Sequence, residues 1–236
     1  MQRYFAIDSN LTLSLSDIHH LKNVMRMKVN DKIEVVLNEN VYLCKIEQIN
    51  NKQIKLEVIA ELNEKSELPV IITMGISLVT ENKFNLILQK LTELGVNSII
   101  PLNTERSIVK LNNDKITNKQ ERWHKICKEA AEQSRRIIIP KIEPITKIMN
   151  LDTSIYDLKL LCSPSEKKIN LKDILSKKEN YDRILIVIGP EGGFTLKEEQ
   201  NLVNDGFIKV SLGDRILRTE TAPIFVLSIL NYIFMR

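Results

Sequence analysis

Only 3 cysteines and 3 histidines stand among the 236 residues. Cys44, Cys127 and Cys162 are odd in number, widely spaced and form no Cys-x-x-Cys, which excludes a disulfide framework and points to reduced thiols in a cytoplasm. His19, His20 and His124 have no metal-ligand spacing with those cysteines, so no metal is expected and the three read as structural or surface residues. Long hydrophobic runs are also missing. The longest, Ala222 to Phe234, is broken by Pro223, Ser228 and Asn231; it is too short to span a bilayer and reads as a buried C-terminal helix, with no membrane partner. The opening Met1-Gln-Arg-Tyr-Phe5 lacks the apolar core of a signal peptide, so export is not expected. Charge of one sign is scarce as well. A net charge of +4 permits an RNA partner but supplies no global field, so any attraction must come from local Arg and Lys patches. Neither a P-loop, Gly-x-x-x-x-Gly-Lys-Ser/Thr, nor the dinucleotide pattern Gly-x-Gly-x-x-Gly occurs, which disposes of a P-loop NTPase.

What remains is an ordinary globular composition, 43% hydrophobic and 27% charged, long enough for one large domain or two smaller ones. Residues 1–68 read as a small β-rich domain. Arg3 to Ile7 is its first strand, and Ser16-Asp17 caps a helix carrying Ile18, Leu21, Val24 and Met25. Strands Ile33 to Leu37, Val41 to Ile49 and Gln53 to Ile59 follow, joined by Asn-rich turns, with Ile54, Leu56 and Val58 alternating inward. Such short hairpin-linked strands suggest a small barrel. Ala60 to Leu68 is the linker.

From residue 69 to 236 strands alternate with helices. Val70 to Val79 is a strand; Asn82 caps a helix burying Phe84, Ile87, Leu88, Leu91 and Leu94, stopped by Gly95. Ile99 to Pro101, Leu158 to Cys162, Ile184 to Ile188 and Phe207 to Leu212 are further strands, and Asn118 to Arg136 is a long helix with Trp123, Ile126 and Ala130 inward. That rhythm argues for a mostly parallel sheet covered by helices.

Two strand-to-helix junctions carry the candidate chemistry. Gly189-Pro-Glu-Gly-Gly-Phe194 follows the apolar run Ile184 to Ile188 and precedes Thr195-Leu-Lys-Glu198, a capping box. Leu212-Gly-Asp-Arg-Ile-Leu-Arg-Thr-Glu-Thr-Ala222 precedes the C-terminal helix. In parallel sheets, ligands bind at the carboxyl ends of strands. Two consecutive βα junctions lying side by side would make one crevice with backbone amides, Arg218, Glu191 and Glu220. Each loop alone reads equally as a plain turn, and Arg218 with Glu220 as a surface pair of little worth.

Together these loops resemble the RsmE family, methyltransferases of uridine N3 in 16S ribosomal RNA. Gln89 to Gly95, Thr104 to Ser107, Arg122-Trp123, Glu129 to Arg136 with Pro140, Arg3-Tyr-Phe5 and His20-Leu-x-x-Val-x-Arg26 resemble the family's other blocks, in order. Asn30 and Arg135 depart from the usual glycine and small residue, and residues 141–180 match weakly.

The resemblance implies a SPOUT-type α/β methyltransferase domain with a parallel sheet and a C-terminal trefoil knot, preceded by a PUA-like RNA-binding β-barrel. It implies a cytoplasmic homodimer acting on 16S rRNA or the assembled small subunit, with S-adenosylmethionine as methyl donor. Leu161, Ile188, Gly189, Pro190, Glu191, Gly192, Leu212, Gly213, Ile216 and Leu217 would hold that cofactor. Removing the N3 proton of uracil puts charge on O2 and O4, so the site needs a base and a cationic donor, and the sulfonium needs no metal. Arg218, with Arg136 and Arg106 as further donors, would stabilise the anion; Glu220, Glu132 or Glu93 would serve as base or hold an arginine. Arg3, Arg26, Lys90 and Arg106 would contact RNA. Alternatives are an i,i+4 pair for Glu132 and Arg136, a solvated helix edge for Lys90 and Glu93, and solubilising charge for Arg3 and Arg26. A related SPOUT methyltransferase on another RNA or base atom, or a non-catalytic ribosome-assembly protein, are the competing functions; the intact loops oppose the last.

Overall fold

The computed structural model describes residues 1–107, 116–177 and 180–235. The chain divides into two compact units: Met1–Glu67 with Lys128–Ile138, and Leu68–Cys127 with Ile139–Arg236. A single cut at 68 therefore omits one feature, the segment 128–138 that groups with the N-terminal residues.

In the first unit, strands β1 (Arg3–Phe5), β2 (Lys32–Leu37), β3 (Asn40–Ile49) and β4 (Ile54–Leu62) form one sheet in that order. β1 is parallel to β2, and the β2–β3 and β3–β4 pairs are antiparallel. Tyr4, Ile18, Leu21, Ile33, Val35, Cys44 and Ile46 fill the core. The first helix differs from expectation. Its cap is Ser14, whose Oγ accepts the Asp17 amide at 3.1 Å, so α1 spans Leu15–His19. A π-helical turn, His20–Val24, then adds one residue per turn and rotates the apolar face, leaving Val24 and Met25 exposed. β4 departs too: register shifts at Leu43/Cys44 and Ile46/Gln48 interrupt the alternation, and Val58 is exposed. Asn30 and Arg135, the two departures from the family pattern, both take left-handed backbone, φ 75° and 58°. Asparagine tolerates that region; an arginine there carries strain.

Arg3 and Arg136 are structural in this unit. The Arg3 side chain is fully buried, with Nε and Nη2 on Glu34 Oε2 at 3.0 and 2.8 Å and Nη1 on the Arg135 carbonyl at 2.6 Å. Expected as a phosphate contact, it is instead an internal clamp, because two carboxylates (Glu34 and Glu64) and a carbonyl take up its fork. Arg136 donates from Nε and Nη2 to Glu67 at 3.1 and 2.5 Å. Glu132 lies 3.2 Å from Lys128, which also pairs with Asp17.

Glu132 has a measurable consequence. Burial pushes its carboxyl up from 4.5 to about 7; Lys128 pulls it down, and Asp17 adds to the rise. A carboxyl raised in the folded state stabilises fully below its unfolded value and loses that contribution as pH rises through 7. Glu132→Gln, which cannot ionise, should therefore gain on the wild type between pH 4.5 and 7.5, by on the order of 3 kcal/mol at most. Calorimetric unfolding of the two full-length proteins across that range measures it, and a pH-independent difference would exclude the effect.

The second unit is a seven-stranded sheet in which every pair is parallel. Its strands are β5 (Ile71–Ser77), β6 (Ser98–Asn103), β7 (Lys141–Ile142), β8 (Thr146–Lys147), β9 (Leu158–Cys162), β10 (Arg183–Ile188) and β11 (Ile208–Val210). The order is β11-β9-β10-β5-β6-β7, with β8 also on β6. Helices α2 (Glu81–Glu93), α3 (Ile116–Gln133), α4 (Leu171–Leu175), α5 (Leu196–Asn204) and α6 (Thr221–Phe234) complete the set, the last part of α3 falling in the first unit. β10 is buried on both faces: Ile184, Ile186 and Ile188 join one apolar cluster, Leu185 and Val187 the other. That explains its unbroken apolar run. The cap of α2 is Thr80 rather than Asn82, while Gly95 at φ 95° stops the helix as expected. β7, β8 and α4 escape sequence reading because two-residue strands and a five-residue helix carry no period. No helix of the described residues is long and apolar enough to cross a membrane. Cys44, Cys127 and Cys162 are buried, and none is in a disulfide among the described residues.

Candidate active site

The carboxyl ends of β9, β10 and β11 meet at one cleft of about 700 Å³, including its open mouth. Its polar and apolar lining suits a small-molecule site. The expectation that the β10 and β11 junctions are neighbours is wrong, because β9 runs between those strands. The two loops nonetheless line the same cleft, with the end of β9 as its floor.

The first loop is built by close backbone approaches. Beyond Ile188, a Cβ on Gly189 would stand 3.2 Å from the Phe194 amide nitrogen and 3.3 Å from the Gly193 carbonyl carbon. Gly193 adopts φ 66°, and its N–H donates to the Pro190 carbonyl at 2.9 Å, closing the turn. Thr195 then caps α5: its Oγ1 accepts the Glu198 amide at 3.2 Å, and Glu198 Oε2 accepts the Thr195 amide at 2.8 Å. Glu198 is buried, and its other oxygen accepts the Glu105 amide at 2.9 Å, anchoring the loop to the segment after β6. Arg106 adds a second anchor, Nη1 donating to the Gly192 carbonyl at 2.8 Å. Arg106, expected at RNA or the uracil anion, braces this loop through Nη1.

The second loop leaves β11 at Ser211, whose Oγ accepts the Gly213 amide at 3.2 Å. Gly213 sits at φ 107°, a conformation that side chains rarely adopt. The chain then passes Ile216 and Leu217 to the start of α6, where the Arg218 carbonyl accepts the Thr221 and Ala222 amides at 2.9 and 3.0 Å.

Of the residues expected to hold a cofactor, Ile188, Gly189, Pro190 and Glu191 line the cleft from one side. Leu212, Gly213, Ile216 and Leu217 line it from the other. Gly192 and Leu161 are not among the lining residues. A Cβ on Gly192 would meet Arg106 Cδ at 3.4 Å, so it faces the brace. Leu161 packs with Leu102, Val187 and Phe194 on the opposite face of the sheet, and its neighbour Cys162, paired with Ile188, lines the cleft. Alternation along the strand puts these two neighbours on different faces. Ser163, Pro164, Glu199, Arg215 and Thr219 also line the cleft; the sequence reading missed the first three and, though it singled out the loop holding Arg215 and Thr219, gave those two no role. Ser163 Oγ donates to Glu199 Oε1 at 2.6 Å, and Lys209 Nζ donates to Oε2 at 2.5 Å.

A mixed-charge group stands beside the two loops. Lys83, in the first turn of α2, donates to Glu191 Oε1 at 2.8 Å and lies 3.7 Å from Glu220 Oε2. Burial raises the Glu191 carboxyl, but the hydrogen bond and charge of Lys83 outweigh it and hold it below its ordinary value. The Lys83 ammonium is raised by its bond to Glu191 and by Glu220, against the opposing charge of Arg218. Glu220 Oε2 is buried without a hydrogen-bond partner. Arg218 is exposed and Glu220 half-buried, between lining residues Leu217, Thr219 and Ala222. Glu132 and Arg136 belong to the first unit and are not among the lining residues, and Lys90 bonds both oxygens of Glu93 at 2.8 Å.

Sheet, cleft and loops define a class. The family model of an RNA methyltransferase domain matches residues 66–231, and that of an RNA methyltransferase PUA domain matches residues 16–59. The chain is 35% identical to the ribosomal RNA small subunit methyltransferase E of Bacillus subtilis, over 98% of this chain and 96% of that protein. The chain belongs to the ribosomal RNA small subunit methyltransferase E family. Among solved structures, that enzyme of Neisseria gonorrhoeae, bound to S-adenosyl methionine, superposes with a TM-score of 0.89 at 30% identity, over 99% of this chain and 98% of that one. A second solved structure, from Legionella pneumophila and in complex with the cofactor SAM, reaches 0.90 at 29% identity, over 98% of this chain and 97% of that one.

Proposed function

We propose that this protein methylates N3 of a uridine in 16S ribosomal RNA of the small subunit, with S-adenosylmethionine as donor. One observation carries the reading: both family loops line a single cleft at the strand ends, with Arg218 and Glu220 beside it. The cleft fits the donor. Ile188, Leu217 and Ala222 offer apolar walls for an adenine, backbone is accessible at Gly189 and Gly213, and a Cβ at Gly213 would meet nothing within 4 Å. Bound there, S-adenosylmethionine supplies an electrophilic methyl whose departure leaves a neutral thioether.

The chain's own residues supply the rest. Glu220 takes the N3 proton; its buried Oε2 has no other hydrogen bond. Arg218 donates to the uracil oxygens that gain charge as the proton leaves. The cleft walls would position the uracil against the bound donor. Glu191 shapes the wall rather than reacting, because Lys83 already occupies it.

The same reading extends to the architecture. The chain after β10 is threaded into a trefoil knot, supported by β11 lying beyond β9 while α6 returns to α2, where Asn231 Nδ2 donates to the Leu94 carbonyl at 2.9 Å. A homodimer is supported by the exposed apolar residues Leu86 on α2 and Phe225, Tyr232 and Ile233 on α6. Residues 1–68 are the PUA-like RNA-binding domain, in which exposed Arg26 meets phosphate. Such an enzyme works in the cytoplasm, with its rRNA.

Mass spectrometry of 16S rRNA nucleosides from cells with and without the gene tests the function. Loss confined to 3-methyluridine, restored by the wild-type gene, is expected; unchanged 3-methyluridine would refute it.

A further inference from the structure

We infer that Lys83 is a positioning residue that ties the two loops of the methyl-transfer site together, holding Glu191 of the first and Glu220 of the second through one ammonium. The inference rests on the methyltransferase reading for its consequence and on geometry for its cause. Lys83 is three residues into α2, an element that supplies no residue to the cleft lining. From there its Nζ reaches Glu191 Oε1 at 2.8 Å and stands 3.7 Å from Glu220 Oε2.

An ammonium has three donors. One is used on Glu191. At 3.7 Å the second carboxylate is within ion-pair range but beyond a hydrogen bond, and its Oε2 is buried with no other partner. A buried carboxylate oxygen left in that state is costly unless a cation stands near. The charges facing the Lys83 ammonium are Glu191 from the loop after β10, and Glu220 and Arg218 from the segment before α6. Removing Lys83 leaves two carboxylates beside Arg218, which is then divided between catalysis and neutralisation. Arg218 would then turn toward the acids and away from the uracil oxygens.

Glu191 is in the wall that faces the donor and Glu220 is two residues after Arg218, so Lys83 sets the spacing between the donor side and the acceptor side. A misplacement of about 1 Å at such a site costs up to roughly 10²-fold in rate. The lowered Glu191 carboxyl and raised Lys83 amine accord with a formed ion pair.

Two measurements on the full-length protein test this. In hydrogen exchange without ligand, Lys83→Met should speed exchange at Gly189–Phe194 and at Gly213–Glu220 together, by about tenfold, and Lys83→Arg much less. A change in only one loop, or in neither, would overturn the tie. In steady-state methylation of small-subunit rRNA from a strain lacking the gene, Lys83→Met should lower kcat by about tenfold or more with KM for RNA within about threefold, and Lys83→Arg should recover most of it. A normal kcat in Lys83→Met, or Lys83→Arg as slow as Lys83→Met, would refute the positioning role. Absence of methylation by the wild type would instead remove the functional reading and leave the exchange result to judge the tie.

Discussion

Arg218→Ala should lower turnover by about 10²–10³-fold while changing affinity for S-adenosylmethionine by no more than about threefold. The asymmetry follows from where the residue stands. Leu217 and Thr219, on either side, line the cleft, whereas the Arg218 side chain is exposed beside it. Its backbone is fixed, since its carbonyl accepts the first two amides of α6. Truncating the side chain therefore removes a donor without disturbing the loop. Deprotonated uracil carries its charge on O2 and O4, and a guanidinium is a strong, planar, always-charged donor for such oxygens. Arg218→Lys keeps the charge but loses the fork, and should fall between the two. Single-turnover methylation gives the rate and calorimetry the affinity. A rate near that of the wild type would take Arg218 out of the mechanism, and lost binding would move it to the cofactor.

Much of this site was legible because its signals are local. The Thr195–Glu198 capping box, the apolar run of β10 and the glycines that follow it lie within fifteen residues of one another, and each is a short-range rule. The cleft could be placed at strand ends on the same grounds. Sheet order could not. β9 slides between β10 and β11 through a connection that no period announces, so the end of β9 entered the reading only through Leu161, and Cys162 and Ser163 went unnoticed as the floor. Within β9, hydrophobicity alone did not say which face Leu161 takes, because both faces are buried.

Charged residues were the least legible. Arg3 meets Glu34, Arg136 meets Glu67 and Lys83 meets Glu191 across 31, 69 and 108 positions, and a sequence gives no sign of such pairings. The helical rule predicted Glu132 with Arg136; four residues in the other direction, Lys128 won, leaving Arg136 to Glu67. A basic residue in a family block was read as a contact to RNA when its acid partner lay out of sight. Arg106 makes a bond of the same long range, with the Gly192 carbonyl as partner.

Gly189→Leu should weaken S-adenosylmethionine binding by at least about 100-fold, close to 2.7 kcal/mol. A Cβ at this position would be 3.2 Å from the Phe194 nitrogen and 3.3 Å from both the Gly193 carbonyl carbon and Phe194 Cδ2. Two of these three are backbone atoms, and the Gly193 amide bond to Pro190 and the Glu198 capping box hold that backbone in place. The loop cannot yield by a rotamer change, so a leucine must displace it as a whole and deform the wall formed by Gly189, Pro190 and Glu191. Gly192 provides the contrast. Its added Cβ would meet only the Arg106 side chain, at 3.4 Å, and flexible methylenes can move aside. Gly192→Ala should accordingly bind within about threefold of the wild type, because the brace shifts while the wall stays. Calorimetric titration of both variants compares the two glycines directly, and unchanged exchange protection of the β2–β3 amides, in the other unit, would show that the rest of the chain is intact. Equal losses at the two positions would mean that the loop, not the approach at Gly189, is what the cofactor reads; tight binding by Gly189→Leu would show that the cofactor does not depend on this wall at all.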